Sequence, residues 1–419
     1  MPLNTTLPPN NSTTEAGWYY GWNILAVGML FQAVIFGIAF FSFTFYVEPW
    51  RAEFNASRSD IFLILVAVQI IMGVASPIAG RAMDRMSIRG LIITGAFSFA
   101  TCLALTSQAT SLWQIIALYG SFFVVGGLLA GPLAAQTLAA KWFFSRRGMA
   151  IGLASVGTSL GGFIMPLVVT YLITEYGWRQ TNLILAVAVI VTVTPIVWVI
   201  VRNTPQEKGI TPESGFEAPD SIGPSSQKLS TMTIIKRRAF WVPVVAFVPM
   251  MTAFGAIQQN FAPYAADLQV GLQATSYLVS TMAIVMVLGK IFFGMMADKL
   301  DHRILYGLAV TVLLATLVFM TTQPTYGQLF IVAGMVGFAA GGFLPLLGAI
   351  IGRHFGPQSF GQVMGLIGPF TTLAAIGPWI AGYIRDSLGS YDIAWQLFLV
   401  VIIPTSLIII LLKPQPEGE

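Results

Sequence analysis

From residue 19 to residue 412 the chain is a succession of apolar runs, each broken by a few charged residues or by Pro, Gly and Asn. The runs are about 20 residues long, which at 1.5 Å per residue is the ~30 Å of a bilayer's hydrocarbon core. Lipid offers no partner to backbone N–H and C=O groups, so such segments cross it as helices that satisfy themselves. Of the 419 residues, 56% are hydrophobic and 9% charged, against about 25% charged in soluble domains. One water-soluble core cannot hide that much apolar surface.

Twelve segments emerge, at 19–47, 59–80, 89–108, 111–139, 147–172, 179–201, 239–265, 273–296, 303–321, 325–351, 361–384 and 393–412. They are called spans one to twelve below. Residues 202–238 break the pattern with Pro205, Pro212, Pro219 and Pro224 and several charges, and read as a hydrophilic linker. The expected organisation is a tail at 1–18, a six-helix bundle at 19–201, the linker at 202–238, a second bundle at 239–413 and a tail at 414–419. Residues 1–17 are polar with no basic n-region, which argues against a cleaved signal peptide.

If the N-terminus is cytoplasmic, the inner loops hold sixteen of the 21 Lys and Arg residues and the outer loops only Arg51, Arg58, Arg179 and Arg385. The positive-inside rule then places both termini in the cytoplasm of a multi-pass protein of the cell (inner) membrane. The basic pI is thereby explained by topology, without a nucleic-acid partner. A lone cysteine, Cys102, and two loop histidines, His302 and His354, give no set of metal ligands. No cofactor is expected, and the chain is expected to work as a monomer.

The sequence also repeats itself. Gly80-Arg-Ala-Met-Asp84-Arg85 follows span two, and Gly294-Met-Met-Ala-Asp298-Lys299 follows span eight, 214 residues later. Pro132 and Pro345, and Gly152 and Gly365, are each 213 apart, and Pro166 and Pro378 are 212 apart. Two parallel halves of six spans follow, a pattern that puts a solute site near the midplane between halves.

The doubled Gly-x-x-x-Asp-Arg/Lys loop resembles the signature of the major facilitator superfamily. Glu15-Ala-Gly-Trp18-Tyr-Tyr-Gly-Trp22 and the stretch Lys141–Gly157, with Arg146, Arg147 and Gly152, resemble motifs of the monocarboxylate transporters. The second motif is shared by the oxalate/formate antiporters. The resemblance implies an all-α membrane protein of twelve helices in two pseudo-symmetric bundles. It implies that Gly80, Asp84, Arg85, Gly294, Asp298, Lys299, Arg146 and Arg147 serve the conformational change, and that the function is secondary transport of a monocarboxylate, lactate- or pyruvate-like, coupled to protons. Glycines at 148, 152, 157 and 161 have the small-xxx-small spacing that lets span five press on a neighbour.

One charge lies within a span: Lys290, in Gly289-Lys290-Ile-Phe-Phe-Gly294. A mid-membrane lysine costs about 2.5–3.5 kcal/mol, so it turns to a partner or a wet cavity, or snorkels to the boundary beyond Gly294. Monocarboxylate transporters carry an arginine at this place, taken to bind the carboxylate. Lysine keeps the charge without the planar two-toothed grip. The resemblance is incomplete in three places: Met286 stands where an aspartate is found, Phe40-Phe41 where a span-one lysine is found, and Thr371-Thr372 where the oxalate antiporters have a second base. A single cation matches a single carboxylate. An empty apolar cavity favours the neutral amine and a bound carboxylate the ammonium, so Lys290 could take up a proton together with its anion.

Gln32, Tyr119, Gln259 and Tyr383 complete the expected substrate-binding set with Lys290, because their spans line the cavity in this superfamily. Each reads equally well as an interhelical hydrogen-bonding residue. An enzyme is disfavoured: Gly157-Thr-Ser159-Leu-Gly161 has the Gly-x-Ser-x-Gly form, but lies mid-span with no histidine in any span, and reads as helix packing. No nucleotide-binding Gly-x-x-x-x-Gly-Lys loop is present. The alternative carrier reading is uptake of a larger heteroaromatic or neutral solute such as a flavin-like vitamin, suggested by Gln258-Gln259-Asn260 and the wealth of Phe and Trp.

Overall fold

The computed structural model describes residues 18–143, 147–210, 230–297 and 299–412, and within them leaves the side chains at 84, 147, 148 and 356–361 undescribed. Asp298 and Arg146 therefore lie outside the described residues, and the Asp84 and Arg147 side chains with them. Eleven helical stretches are long and apolar enough to cross a membrane. One of them, Met149–Ile200, is 52 residues long and reverses at Gly177, whose φ of +74° suits only glycine well. It supplies spans five and six, giving twelve crossings in all.

Apolar composition does not dictate an unbroken helix. Span one is α-helical over Gly21–Phe36, widens into a π-turn at Gly37–Phe41 and tightens into a 3-10 turn at Phe43–Tyr46. Span four likewise widens at Tyr119–Phe123 and breaks at Gly131, with Pro132 restarting it as Pro132–Trp142. The described residues of the linker form a 3-10 turn at Pro205–Lys208 and a helix at Thr231–Lys236.

Each bundle is held by glycine contacts. Gly157 and Gly161 of span five lie on the backbone of Met29 and Ala33 in span one, where a methyl group would strike a carbonyl oxygen. Gly377 of span eleven meets Thr252 of span seven in the same way, which is the equivalent pair of the second half. Gly337 and Gly341 of span ten press on Met282 and Met286 of span eight. The two halves meet along spans two and eleven, five and eight, and one and seven.

The two stretches that carry the family resemblance touch. Tyr20 meets Trp142 at 5.6 Å with the rings tilted, Trp22 meets Phe143 edge-on at 5.1 Å, and the Tyr20 hydroxyl donates to the Ile200 carbonyl at 2.7 Å. The Gly80–Arg85 stretch, expected as a loop, is the helical end of span two (Arg58–Arg85), and Lys141 donates to its Met83 carbonyl at 3.1 Å, tying it to span four. This face, which carries the linker, is called the linker face.

Candidate functional site

Hydrogen bonds between the bundles begin at the opposite face. Arg58, at the start of span two, is buried and grips both oxygens of Asp267 at 2.9 Å and Glu48 at 2.8 Å. Asp267 also accepts from Arg385 at 2.7 Å. Beside them the backbone N–H and hydroxyl of Ser59 donate to Asp386 at 2.8 and 2.9 Å. Arg58, Ser59 and Glu48 belong to the first bundle, and Asp267, Arg385 and Asp386 to the second. The two are latched together here, and we call this the latch face. Sequence reading gave Arg58 only a topological role, because nothing in one loop shows which distant loop it will meet.

At the linker face the opposite holds. Among the described residues, Gly80, Gly152, Gly294 and Gly365 have no neighbour within 4 Å of where a side chain would begin. Among the described residues, every hydrogen bond joining the halves lies between the latch face and Lys290. Arg85 and Lys299 are exposed at the open end.

Between the bundles lies a cavity of about 330 Å³, lined by Phe36, Phe40, Met72, Phe123, Met251 and Phe254, with Gln69 and Gln259 as its polar groups. Among the described residues, no charged side chain lines it. Gln259 donates to the Phe40 carbonyl at 3.0 Å, a carbonyl within the π-turn, and so ties span seven to span one at the cavity wall. The rest of the amide run turns elsewhere. Asn260 bonds to the carbonyls of Ala256 and Pro378 and accepts from Tyr391, while Gln258 is enclosed without a hydrogen-bond partner.

Two residues expected on the wall are inside the first bundle instead. Gln32 is fully buried and donates to Ala154 at 2.9 Å, a tie between spans one and five. Tyr119 is buried in an aromatic cluster, stacked on Phe123 at 4.6 Å and edge-on to Trp50. Tyr383 is 54% exposed and stacked on Trp379, away from the cavity. Spans one and four have almost no amphipathic pattern, so their sequence gives no preferred face from which to derive the rotation of either helix.

Lys290 neither lines this cavity nor snorkels. Its ammonium crosses to span five and donates to the Ser159 hydroxyl at 2.8 Å, the Thr158 hydroxyl at 3.4 Å and the Ser155 carbonyl at 3.4 Å. The reason is helical spacing. Residues 155, 158 and 159 share one face, while Gly157 and Gly161 occupy the opposite face against span one. The motif read as packing does both jobs: its glycines pack and its serine holds the lysine. All three acceptors are neutral, and among the described residues no carboxylate touches Lys290.

Two six-helix bundles, latched at one face around a cavity and parted at the other, with a lysine ammonium between them that meets no carboxylate among the described residues, define a membrane carrier. The family model of the Major Facilitator Superfamily matches residues 29–276 and 251–419, and the chain belongs to that superfamily, as a secondary transporter and not an enzyme. It is similar to monocarboxylate transporter 2 of Mesocricetus auratus, 26% identical over 93% of this chain and 83% of that protein. It is also similar to monocarboxylate transporter 10 of Danio rerio, 25% identical over 93% of this chain and 77% of that protein. Among solved structures it shares its fold with a bacterial homolog to the human lysosomal transporter Spinster in an inward-facing, occupied conformation. That TM-score is 0.69 at 14% identity, over 95% of this chain and 97% of the other.

Proposed function

We propose that the protein carries a small organic monoanion, a monocarboxylate, by alternating access, and that Lys290 receives the carboxylate. One observation carries the reading: the Lys290 ammonium lies within a span and, among the described residues, is held by neutral oxygens alone. Neutral acceptors satisfy its N–H groups but not its charge, and an uncompensated ion in a membrane is retained where function needs it. A carboxylate is the missing counter-ion. The likeness to monocarboxylate transporters over most of the chain supports the same reading.

Proton coupling follows from the same residue. With an anion bound, Lys290 keeps its proton. Release of that proton with the anion returns an uncharged carrier, so anion and proton cross together. The linker face is then the cytoplasmic one by the positive-inside rule, and the described state is open to the cytoplasm.

A second reading draws on the cavity. Its uncharged aromatic wall with two amides suits a heteroaromatic or neutral solute.

Uptake of labelled acetate, lactate and pyruvate into proteoliposomes under an inward proton gradient tests the first reading. Acid-driven uptake that disappears in Lys290→Met is the expected result. Uptake by Lys290→Met equal to that of the wild type overturns it.

A further inference from the structure

We propose that Ser159 is the second half of the carboxylate site: its hydroxyl donates to one carboxylate oxygen while Lys290 holds the other. This rests on the reading of Lys290 as the anion's partner, and goes beyond it by placing half of the grip in the opposite bundle.

The argument starts from the hydrogens. Ser159 is wholly buried and accepts from Lys290 at 2.8 Å, yet its own hydroxyl hydrogen has no acceptor among the described residues. Its neighbour differs, because the Thr158 hydroxyl donates to the Ser155 carbonyl at 2.8 Å and has nothing left to give. Ser159 is thus an unspent donor beside an uncompensated ammonium.

Lengths indicate what a carboxylate displaces. The ammonium has three N–H groups, and three acceptors occupy them. Those to Ser155 and Thr158, both 3.4 Å, are beyond the usual range, whereas the Ser159 contact is a full hydrogen bond. A carboxylate oxygen replaces the two weak contacts and leaves Lys290 and Ser159 side by side. Its second oxygen then accepts from the serine.

Position favours the arrangement. Gly157 and Gly161 seat span five on span one without room for a methyl group. Gly289 and Gly341 seat span eight on span ten, with Gly341 against the Lys290 backbone. Both partners therefore stand on helices that cannot rotate freely, as a two-point site requires. A lysine lacks the parallel N–H pair with which an arginine grips two oxygens. Here a hydroxyl from the other bundle supplies the second contact, and the substrate itself becomes a bridge between the halves.

The test compares wild type, Ser159→Ala, Ser159→Thr and Lys290→Met in proteoliposomes, with acetate, lactate, pyruvate and benzoate as labelled probes. Each variant is first checked for a monodisperse elution profile and its melting temperature. Ser159→Ala is expected to raise KM about tenfold, the loss of one hydrogen bond to a charged group, with the maximal rate within about threefold. Ser159→Thr, which keeps the hydroxyl, restores KM. An unaltered KM in a folded Ser159→Ala whose Lys290→Met counterpart is inactive overturns the role of Ser159 and leaves that of Lys290 standing. Uptake by Lys290→Met at the wild-type level, or no uptake of any probe by the wild type, overturns both.

Discussion

The ammonium of Lys290 stands 2.8 Å from the hydroxyl of Ser159 across the boundary between the two bundles. Such an ion is tolerated, not stabilising, while its counter-ion is absent. Replacing buried ionic groups by well-packed apolar residues of similar volume is often neutral or stabilising, by up to about 4 kcal/mol. Lys290→Met is therefore expected to melt higher than the wild type in detergent while losing carboxylate uptake. Scanning fluorimetry beside the uptake assay decides it, and a lower melting temperature would show that the ammonium is already compensated.

The glycines divide into two classes with opposite expectations. Gly161→Val forces a side chain onto the Ala33 carbonyl and is expected to destabilise by about 1–3 kcal/mol, as overpacking does. Gly152→Leu meets nothing among the described residues in this state, so stability should change by about 0.5 kcal/mol at most. Uptake should nevertheless fall at least about tenfold, because the linker face must close in the transport cycle. Thermal melts and initial uptake rates separate the two, and a fully active Gly152→Leu would mean that span five does not form part of that closure.

Breaking the latch should favour the state open at the latch face. In Asp267→Asn the Arg58 and Arg385 guanidiniums lose their shared carboxylate while Arg58 keeps Glu48. A hydrogen bond to a charged group contributes about 1.5–3 kcal/mol, so the balance should move roughly tenfold or more. Cys102 is the only cysteine and is buried, which makes Cys102→Ser a suitable background. A Gln69→Cys reporter on the cavity wall should then label faster with an impermeant thiol reagent applied at the latch face when Asp267→Asn is added. Equal rates would assign the closure instead to the other bonds between the halves, those of Gln259 to the Phe40 carbonyl and of the Ser280 hydroxyl to the Phe163 carbonyl.

Cavity size separates the two substrate readings. Ala39→Phe fills space on the wall and is expected to lower the affinity for a flat heteroaromatic solute by about tenfold, as the pocket must exclude it. Uptake of acetate should stay within about threefold. Equilibrium binding of riboflavin beside acetate uptake measures both, and parallel loss of the two would place them in one site.

The twelve crossings were legible because lipid leaves the backbone no alternative, and the doubled Asp84/Asp298 loop announced the repeat. Lys290 was legible for a similar reason: one charge in a long apolar run is conspicuous. Gln32 and Tyr119 show where the sequence stops speaking. Their spans were known, but a helix that is apolar on every side gives no hint of its rotation, and both side chains point into the first bundle. Ser159 was visible inside a packing motif and was read as packing, since the glycines around it do pack. Its other role depends on which helix of the second half lies opposite. Arg58 and Asp267 are 209 residues apart, and no local pattern joins them.

The neutral clasp around Lys290 has an electrical consequence. Moving one elementary charge across the membrane exchanges about 2.3 kcal/mol with each 100 mV of potential. With a carboxylate bound, the moving centre carries no net charge and voltage leaves the loaded step alone. If the empty carrier returns with its ammonium protonated, voltage acts on that step; if it returns as the neutral amine, neither step feels the field. A voltage-clamped membrane thus reads the protonation state of a single side chain during the half of the cycle in which nothing is carried.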